Sequence, residues 1–284
     1  MPELPEVEVL VRHLRPALTG RTIRSAVVRR AKSVRPGDPK EFVRVLTDAR
    51  IEAVSRRAKY LVFELESRQA RKPFRLLGHL GMTGRMYLQP AGRPWATHAA
   101  VVFGLGNADF VFEDPRYFGR LSLDLTALDA LGPEPLDSAF TTERFERELR
   151  RSRQAIKVKL LDQALVAGIG NIYASEALFR AGISPRRPAA KVCGDDAARL
   201  RRAIRAVLRE AIRFGSTVPL DWAGAGSGDG LFYYGRAEGV PDYYDERLRV
   251  YDRAGQPCRR CRTPIQRIVQ AARSTFFCPT CQTK

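Results

Sequence analysis

Four cysteines constrain this chain more than any other feature. Cys258-x2-Cys261-x16-Cys278-x2-Cys281 sets two knuckles at the separation of a four-thiolate zinc site on a β-hairpin. Four thiolates complete a tetrahedral shell and leave no position for substrate or activated water, so one structural Zn2+ is expected, folding the tail without catalysing. The opposing reading, unpaired thiols of an intracellular protein, requires the double spacing to be an accident. Cys193 stands alone and reads as an inert small side chain, and the set does not resemble a secreted disulfide framework. Arg259, Arg260, Arg262, Arg267 and Arg273 crowd the knuckles, which suits a hairpin laid against phosphates.

A zinc hairpin needs little of a chain this long. The 284 residues, 44% hydrophobic and 28% charged, exclude disorder, collagen-like repeats and a coiled-coil rod. They suffice for two domains besides the tail. Val7, Leu10, Val11, Leu14 and Leu18 repeat with helical spacing, with Pro5 in the first turn and Gly20 at the end. From Thr22 to about Leu125 the pattern changes to short β-branched and aromatic runs, TIRSAVV, IEAVSRR, YLVFEL, RLLGHLGM, AAVVFGL, ADFVFED and GRLSLDL, which predict an all-β sandwich or barrel. The aperiodic LGPEPLD, Leu131 to Asp137, marks a boundary. Helices follow over Thr142 to about Arg151 with Thr141 or Thr142 as cap, Ala155 to Gln163, Asn171 to Ala181, and a longest one from Asp195 towards Gly215. The Gly-rich, aromatic stretch of about 216–245 has no period and is too long for an ordinary connection, a mark of functional or mobile loops. The domains are therefore set at 1–131, 132–246 and 247–284.

Lys plus Arg number 49 against 31 Asp plus Glu, a formal net charge of +18. Such a chain fits a polyanion, either nucleic acid or an anionic membrane surface. A membrane partner would need an amphipathic basic helix, a lipidation signal or 18 consecutive apolar residues, and none is evident. MPELPEVEVL carries acids where a signal peptide carries bases, so a cytoplasmic chain is expected.

Two further motifs admit two readings each. Ala167-Gly168-Ile169-Gly170-Asn171, preceded by Ala155-Ile156-Lys157, brings a glycine turn to a helix start, either a phosphate site or a tight turn between packed helices. Pro2, if freed of Met1, offers a secondary amine whose α-amino group titrates near 7.7 to 8.0, with Glu3 and Glu6 at hand as acid, base or anchor. The same acids also suit an ordinary first helical turn.

MPELPEVE, RRAKYLVFEL around Lys59, LGHLGMTG around Met82, EDPRYFG around Arg116, LGPEPL, GIGNIYASEALF and RSTFFCPTCQ run in order along nearly the whole chain. Together they resemble the formamidopyrimidine-DNA glycosylase (Fpg/MutM) family of bifunctional DNA glycosylases. The opening resembles the oxidised-purine branch more than the related endonuclease VIII branch. The resemblance implies an α+β multidomain fold: an N-terminal β-sandwich with flanking helices, then a helix-two-turns-helix domain plus a zinc-finger β-hairpin, with DNA lying in the cleft between them. It implies a monomeric, nucleoid-associated enzyme of base-excision repair acting on double-stranded DNA that contains oxidised bases or abasic sites.

The roles it implies fall on particular residues. Pro2 attacks the anomeric carbon and forms an iminium, Glu3 donates or shuttles protons, and Glu6 is a second acid of the same motif. Lys59 matches a strand lysine associated with β-elimination and phosphate contact, and Arg273 matches a phosphate contact linked to δ-elimination. Met82, Arg116 and Phe118 match side chains inserted into the duplex where the lesion leaves, although Met82 and Phe118 would otherwise be read as core. His98, Lys157 and Asn171 match phosphate contacts, whereas His13 and His79 carry no motif role and read as packing or surface residues.

The chain departs from the family pattern after its last long helix. Thr217-Val218-Pro219-Leu220-Asp221-Trp222 leads into an extended stretch, with Leu220 where a basic residue is common. Phe232, Tyr233, Tyr234, Tyr243 and Tyr244 in that stretch either stack on a base or pack the loop down. The resemblance implies a glycosylase and AP lyase that removes oxidised purines (8-oxoguanine, formamidopyrimidines), with oxidised pyrimidines as the alternative because this loop reads the flipped base. A non-catalytic damaged-DNA-binding paralogue is the remaining alternative, against which the Pro2, Glu3, Lys59 and Arg273 set speaks.

Overall fold

The computed structural model describes residues 2–67, 72–215 and 247–283. Among these, the chain forms two compact units: one holds Pro2 and Glu6–Asp129, the other Glu3–Pro5 and the residues from Ala130 on. The first helix, α1 (Leu4–Leu18), follows the heptad-like pattern of its apolar residues, and Val7, Leu10, Val11, Leu14 and Leu18 are all buried. Gly20 follows it at φ +83, a left-handed conformation that glycine adopts without strain.

Among the described residues the first unit has eight strands: β1 (Ser25–Val28), β2 (Arg50–Arg57), β3 (Tyr60–Glu66), β4 (Phe74–His79), β5 (Arg85–Pro90), β6 (Ala99–Gly104), β7 (Ala108–Glu113) and β8 (Arg120–Ser122). They form two antiparallel sheets, ordered β1-β6-β7-β5 and β2-β3-β4-β8. Inward side chains of both sheets share one core, in which Phe63 of β3 meets Phe110 of β7 with ring centroids 5.7 Å apart. The expected sandwich is therefore present.

Two elements of this unit are absent from the sequence prediction. The helix α2 (Pro39–Leu46) is started by Asp38, whose carboxylate accepts from the amides of Lys40 and Glu41, with Pro39 in the first turn. It buries Phe42 and Leu46, with Val43 half-buried against the same core, too short a run to announce a helical period. Strand β5 was not among the predicted runs, because it pairs only with β7 at a sheet edge and ends in Pro90.

Helix α3 (Thr126–Asp129) is the last turn of the first unit, and in the second, α4 (Thr142–Arg150) starts with the Thr141 hydroxyl accepting from the Arg144 amide. Next come α5 (Ile156–Lys159), α6 (Asn171–Ala181) and α7 (Asp195–Gly215). Helix α5 is shorter than the predicted 155–163. The Asp162 carboxylate takes the Ala164 amide, and the Gln163 side chain takes the Gly168 amide and the Ile169 carbonyl. Gln163 Nε2 also donates to the Leu161 carbonyl, so side chains bind the Leu161 carbonyl and the Ala164 amide, backbone groups that a longer helix would have used. The proline-rich stretch at the boundary is held down: the Arg205 guanidinium donates to the carbonyls of Pro135, Leu136 and Asp137 at 2.8–2.9 Å. Leu200, Ile204 and Leu208 of α7 and most of α6 are buried in the same core. The predicted loop of about 216–245, with its aromatic residues, lies outside the described residues.

The tail closes as a hairpin of β9 (Gln266–Gln270) and β10 (Arg273–Phe277), joined by the two-residue turn Ala271–Ala272. Both alanines have positive φ, +47 and +58. A two-residue hairpin turn of this hand calls for such angles, which non-glycine residues adopt at a cost of roughly 1–2 kcal/mol each. All four Sγ atoms of Cys258, Cys261, Cys278 and Cys281 lie within 4.8 Å of one another. Cys258 and Cys281 stand 3.9 Å apart and Cys261 and Cys278 3.4 Å apart, near the ~3.8 Å edge of a tetrahedron with zinc–sulfur bonds of about 2.3 Å. The amides of Arg260 and Cys281 donate to the sulfurs of Cys258 and Cys278, the second layer of contacts that a thiolate site uses to spread its charge. The residues fit one structural zinc. The purified chain is expected to carry about one equivalent of zinc, and chelation should expose the amides of 247–283 to exchange while the sandwich stays protected. Full protection of a metal-free tail would contradict the assignment.

Candidate functional site

Glu3 is the best-fixed of the predicted site residues. It is 1% exposed, and its carboxylate accepts from the amides of Gly170 at 2.7 Å, Ile172 at 2.8 Å and Tyr173 at 3.4 Å. It therefore caps α6 from outside the helix, supplying the acceptor that Gly170, at the cap position, has no side chain to provide. The fit requires glycine. A Cβ on Gly170 would stand 2.3 Å from Glu3 Cδ, and one on Gly168, at φ +88, 2.7 Å from Leu4 side-chain atoms. Leu4 adds its amide to the Gly168 carbonyl at 3.0 Å. Of the two readings of the glycine turn, its amides are here spent on a carboxylate of the chain itself.

Beside this cap stands a second polar group. Lys157, 1% exposed, donates from Nζ to Asn171 Oδ1 at 2.6 Å, and Asn171 Nδ2 donates to the Ser274 carbonyl of β10 at 2.8 Å. Burial brings the Lys157 ammonium down to about 8, with the Glu3 carboxylate opposing and the Arg273 guanidinium adding to the shift. Arg273 itself is exposed at the start of β10. The second unit therefore gathers Glu3, Lys157, Asn171 and Arg273, four residues drawn from widely separated parts of the sequence. Lys157 is covered and reaches its surroundings through Asn171.

The first unit gathers the others. Met82 is 45% and Phe118 51% exposed, so neither belongs to the core, and the Arg116 guanidinium lies 4.8 Å from the Phe118 ring centroid. His98 places Nδ1 3.3 Å from the Tyr117 hydroxyl. Lys59 occupies the two-residue turn between β2 and β3, after Ala58 at φ +53, rather than a strand position. Pro2 is buried and joined directly to Glu3, while Glu6 sits half-buried in the first turn of α1.

The sequence reads His79 as a packing or surface residue, and its surroundings are more specific than that. Its Nδ1 accepts from the Gly81 amide at 3.1 Å, and its ring lies 5.0 Å from that of Tyr60. Burial first, then the charges of Lys59 and Arg120, lower its pKa to about 4, so near neutrality the ring is uncharged and its proton is assigned to Nε2. It borders a cavity of about 220 Å³ with Tyr60, Arg120, Ser122 and Asp124. The signal was its position at the end of β4, in the same HLGMTG run as Met82.

With this geometry described, comparison with known proteins is direct. The chain matches the family models of the formamidopyrimidine-DNA glycosylase N-terminal domain over residues 1–121, the formamidopyrimidine-DNA glycosylase H2TH domain over 131–220 and the zinc finger found in FPG and IleRS over 255–284. It is 43% identical to the formamidopyrimidine-DNA glycosylase of Azorhizobium caulinodans, covering 99% of this chain and 100% of that one. It is 42% identical to that of Thermus thermophilus, covering 99% and 98%. Among solved structures it superposes on a mutant Lactococcus lactis FPG in complex with a Fapy-dG containing DNA, with a TM-score of 0.86, 32% identity and 100% of both chains covered. It also superposes on MutM in complex with carbocyclic 8-oxo-G containing DNA, with a TM-score of 0.84, 32% identity and the same coverage. Matched along its whole length, the chain belongs to the formamidopyrimidine-DNA glycosylase family and is a base-excision-repair DNA glycosylase.

Proposed function

We infer that this enzyme removes oxidised purines, 8-oxoguanine and formamidopyrimidines, from double-stranded DNA and then cleaves the strand at the resulting abasic site. One observation carries the reading: the carboxylate of Glu3, next in the chain to Pro2, is fixed by three backbone amides. A fixed carboxyl beside a secondary amine supplies both a nucleophile and a positioned acid. The relatives solved with Fapy-dG and 8-oxo-G DNA support the purine branch, as does the net charge of +18.

The chemistry follows from those groups. The lone pair of the free Pro2 nitrogen attacks C1′ of the damaged nucleoside, the bond from C1′ to the base breaks, and the base leaves with the proton that the attacking nitrogen sheds. Glu3 protonates the sugar ring oxygen as the ring opens, leaving an iminium between Pro2 and C1′. The iminium acidifies the C2′ proton, Lys59 assists its removal, and the 3′ phosphate departs. A second elimination, assisted by Arg273, expels the 5′ phosphate, and water releases Pro2. Glu6 serves as the second acid of this end of the chain. Met82 and Phe118 act as apolar wedges where the damaged base leaves the stack, and Arg116 satisfies the orphaned partner base. His98, Asn171 and Arg273 contact phosphates, with Lys157 fixing Asn171 from behind. The zinc is structural, and no step uses it. The enzyme acts as a monomer in the cytoplasm, on the nucleoid; no helix among the described residues is long and apolar enough to cross a membrane.

Two measurements test this reading. Borohydride should trap a covalent adduct on a duplex with 8-oxoguanine opposite cytosine. Pro2→Gly should lose most of it, by roughly 100-fold or more given what a lost nucleophile costs. An adduct on thymine-glycol DNA alone would move the substrate to oxidised pyrimidines, and none on either lesion, with Met1 shown to be removed, would leave a non-catalytic binder. The lowered pKa of Lys157 gives a second test. The wild type should lose affinity for an abasic-analogue duplex between about pH 7 and 9, as Lys157 sheds its proton, converging on Lys157→Met, which lacks the charge throughout. Parallel pH dependence in both proteins would refute the role of this charge.

A further inference from the structure

The loop that carries Arg116 and Phe118 and the turn that carries Met82 meet on one buried carboxylate. Asp114, 0% exposed, accepts from Thr83 Oγ1 at 2.5 Å and from the Arg116 amide at 3.1 Å on one oxygen, and from the Gly119 amide at 2.7 Å on the other. Its own amide donates to the His98 carbonyl at 3.1 Å, and its carbonyl accepts from the Tyr117 amide at 3.2 Å. A carboxylate only accepts, so the Thr83 hydroxyl proton is directed at Asp114. Two of the three donors belong to the Asp114 loop; Thr83 alone comes from the neighbouring turn, where it directly follows Met82.

Around this link the two backbones touch. A Cβ on Gly81 would lie 2.5 Å from the Gly119 nitrogen, and one on Gly119 would lie 2.8 Å and 2.9 Å from the carbonyl oxygens of His79 and Leu80. Gly81 sits at φ +64 and Tyr117 at φ +52, the latter a conformation that persists only where the surroundings over-determine it. Met82 and Phe118 are exposed and so gain little placement from packing of their own. Their relative position is set instead by the two loops beneath them. Insertion into a base stack loses less conformational entropy when the inserted groups are already ordered together.

We propose that Thr83 and Asp114 are a positioning pair, which makes Met82, Arg116 and Phe118 enter the stack as one body during extrusion of a damaged base. This rests on the wedge role given to those three residues above. Extrusion of a stacked base depends on the Thr83–Asp114 bond. Strand cleavage at an abasic site, where no base has to be extruded, does not.

The full-length zinc-loaded protein provides the test. Thr83→Val removes the hydroxyl at nearly constant shape, and Thr83→Ser keeps it. Three readouts are compared: excision of 8-oxoguanine opposite cytosine, scission of a preformed abasic site, and fluorescence of 2-aminopurine beside an abasic analogue, which reports unstacking without any chemistry. Thr83→Val should lower excision kcat/KM by about tenfold or more and diminish the 2-aminopurine signal, with abasic scission within about twofold of wild type and Thr83→Ser restoring both losses. Wild-type fluorescence and excision in Thr83→Val would overturn the proposal, and so would equal losses on both substrates. If the wild type excises thymine glycol and not 8-oxoguanine, the substrate reading falls, and the fluorescence together with the same comparison on thymine glycol still decides the role of the pair.

Discussion

The second unit is organised around a carboxylate that caps a helix from a distant part of the chain. Glu3 replaces the side-chain cap that Gly170 lacks, and glycine is needed at 170 because Glu3 fills the space of a Cβ. The backbone angles at Gly170, φ −130 and ψ −155, do not themselves require it. Capping of this kind contributes about 1 kcal/mol, and a carboxylate facing the positive end of a helix adds several tenths. The consequence for function exceeds the energy, because the residue held in this way is next in the chain to Pro2, the nucleophile proposed above.

Helix α6 serves three such contacts at once. Its start receives Glu3, and its first side chain, Asn171, joins Lys157 to the Ser274 carbonyl of the zinc hairpin. Further along, Glu176 accepts from the amides of Arg249, Val250 and Tyr251 at 2.8–3.1 Å, a cradle leading into the zinc module. Burial pushes the Glu176 carboxyl up while those amides pull it down. Phe179 of the same helix packs with Val250, Ile265 and Phe276 of the module. The hairpin that carries Arg273 is therefore tied to the element that holds Glu3, through a carbonyl, a nest of amides and an apolar cluster.

Much of this was legible in the sequence where one physical rule dominates. The paired knuckles required a thiolate site, the 3.6-residue periods of α1, α6 and α7 required buried faces, and the Thr141-Thr142 pair offered α4 a cap, which Thr141 supplies. What was missed depended on partners distant in sequence or on short elements. Helix α2 has two buried side chains and an Asp-Pro start, β5 is an edge strand ending in proline, and α5 stops early because Asp162 and Gln163 compete for its backbone. Lys59 belongs to a turn because Ala58 adopts a left-handed conformation, which alanine rarely signals. The contacts of His79, the covering of Lys157 and the keystone position of Asp114 are products of tertiary structure, and no local pattern reveals them.

The most direct test of the account is Gly170→Ala, assayed by the pH dependence of 8-oxoguanine excision and of borohydride trapping, with zinc content and thermal unfolding as controls. The added methyl must displace the Glu3 carboxylate from the α6 amides. The account predicts a fall in kcat of about 100-fold or more with an altered pH profile, in a protein that keeps its zinc and its fold. Wild-type rates and an unchanged profile would contradict it, because Glu3 would then act without the cap that holds it.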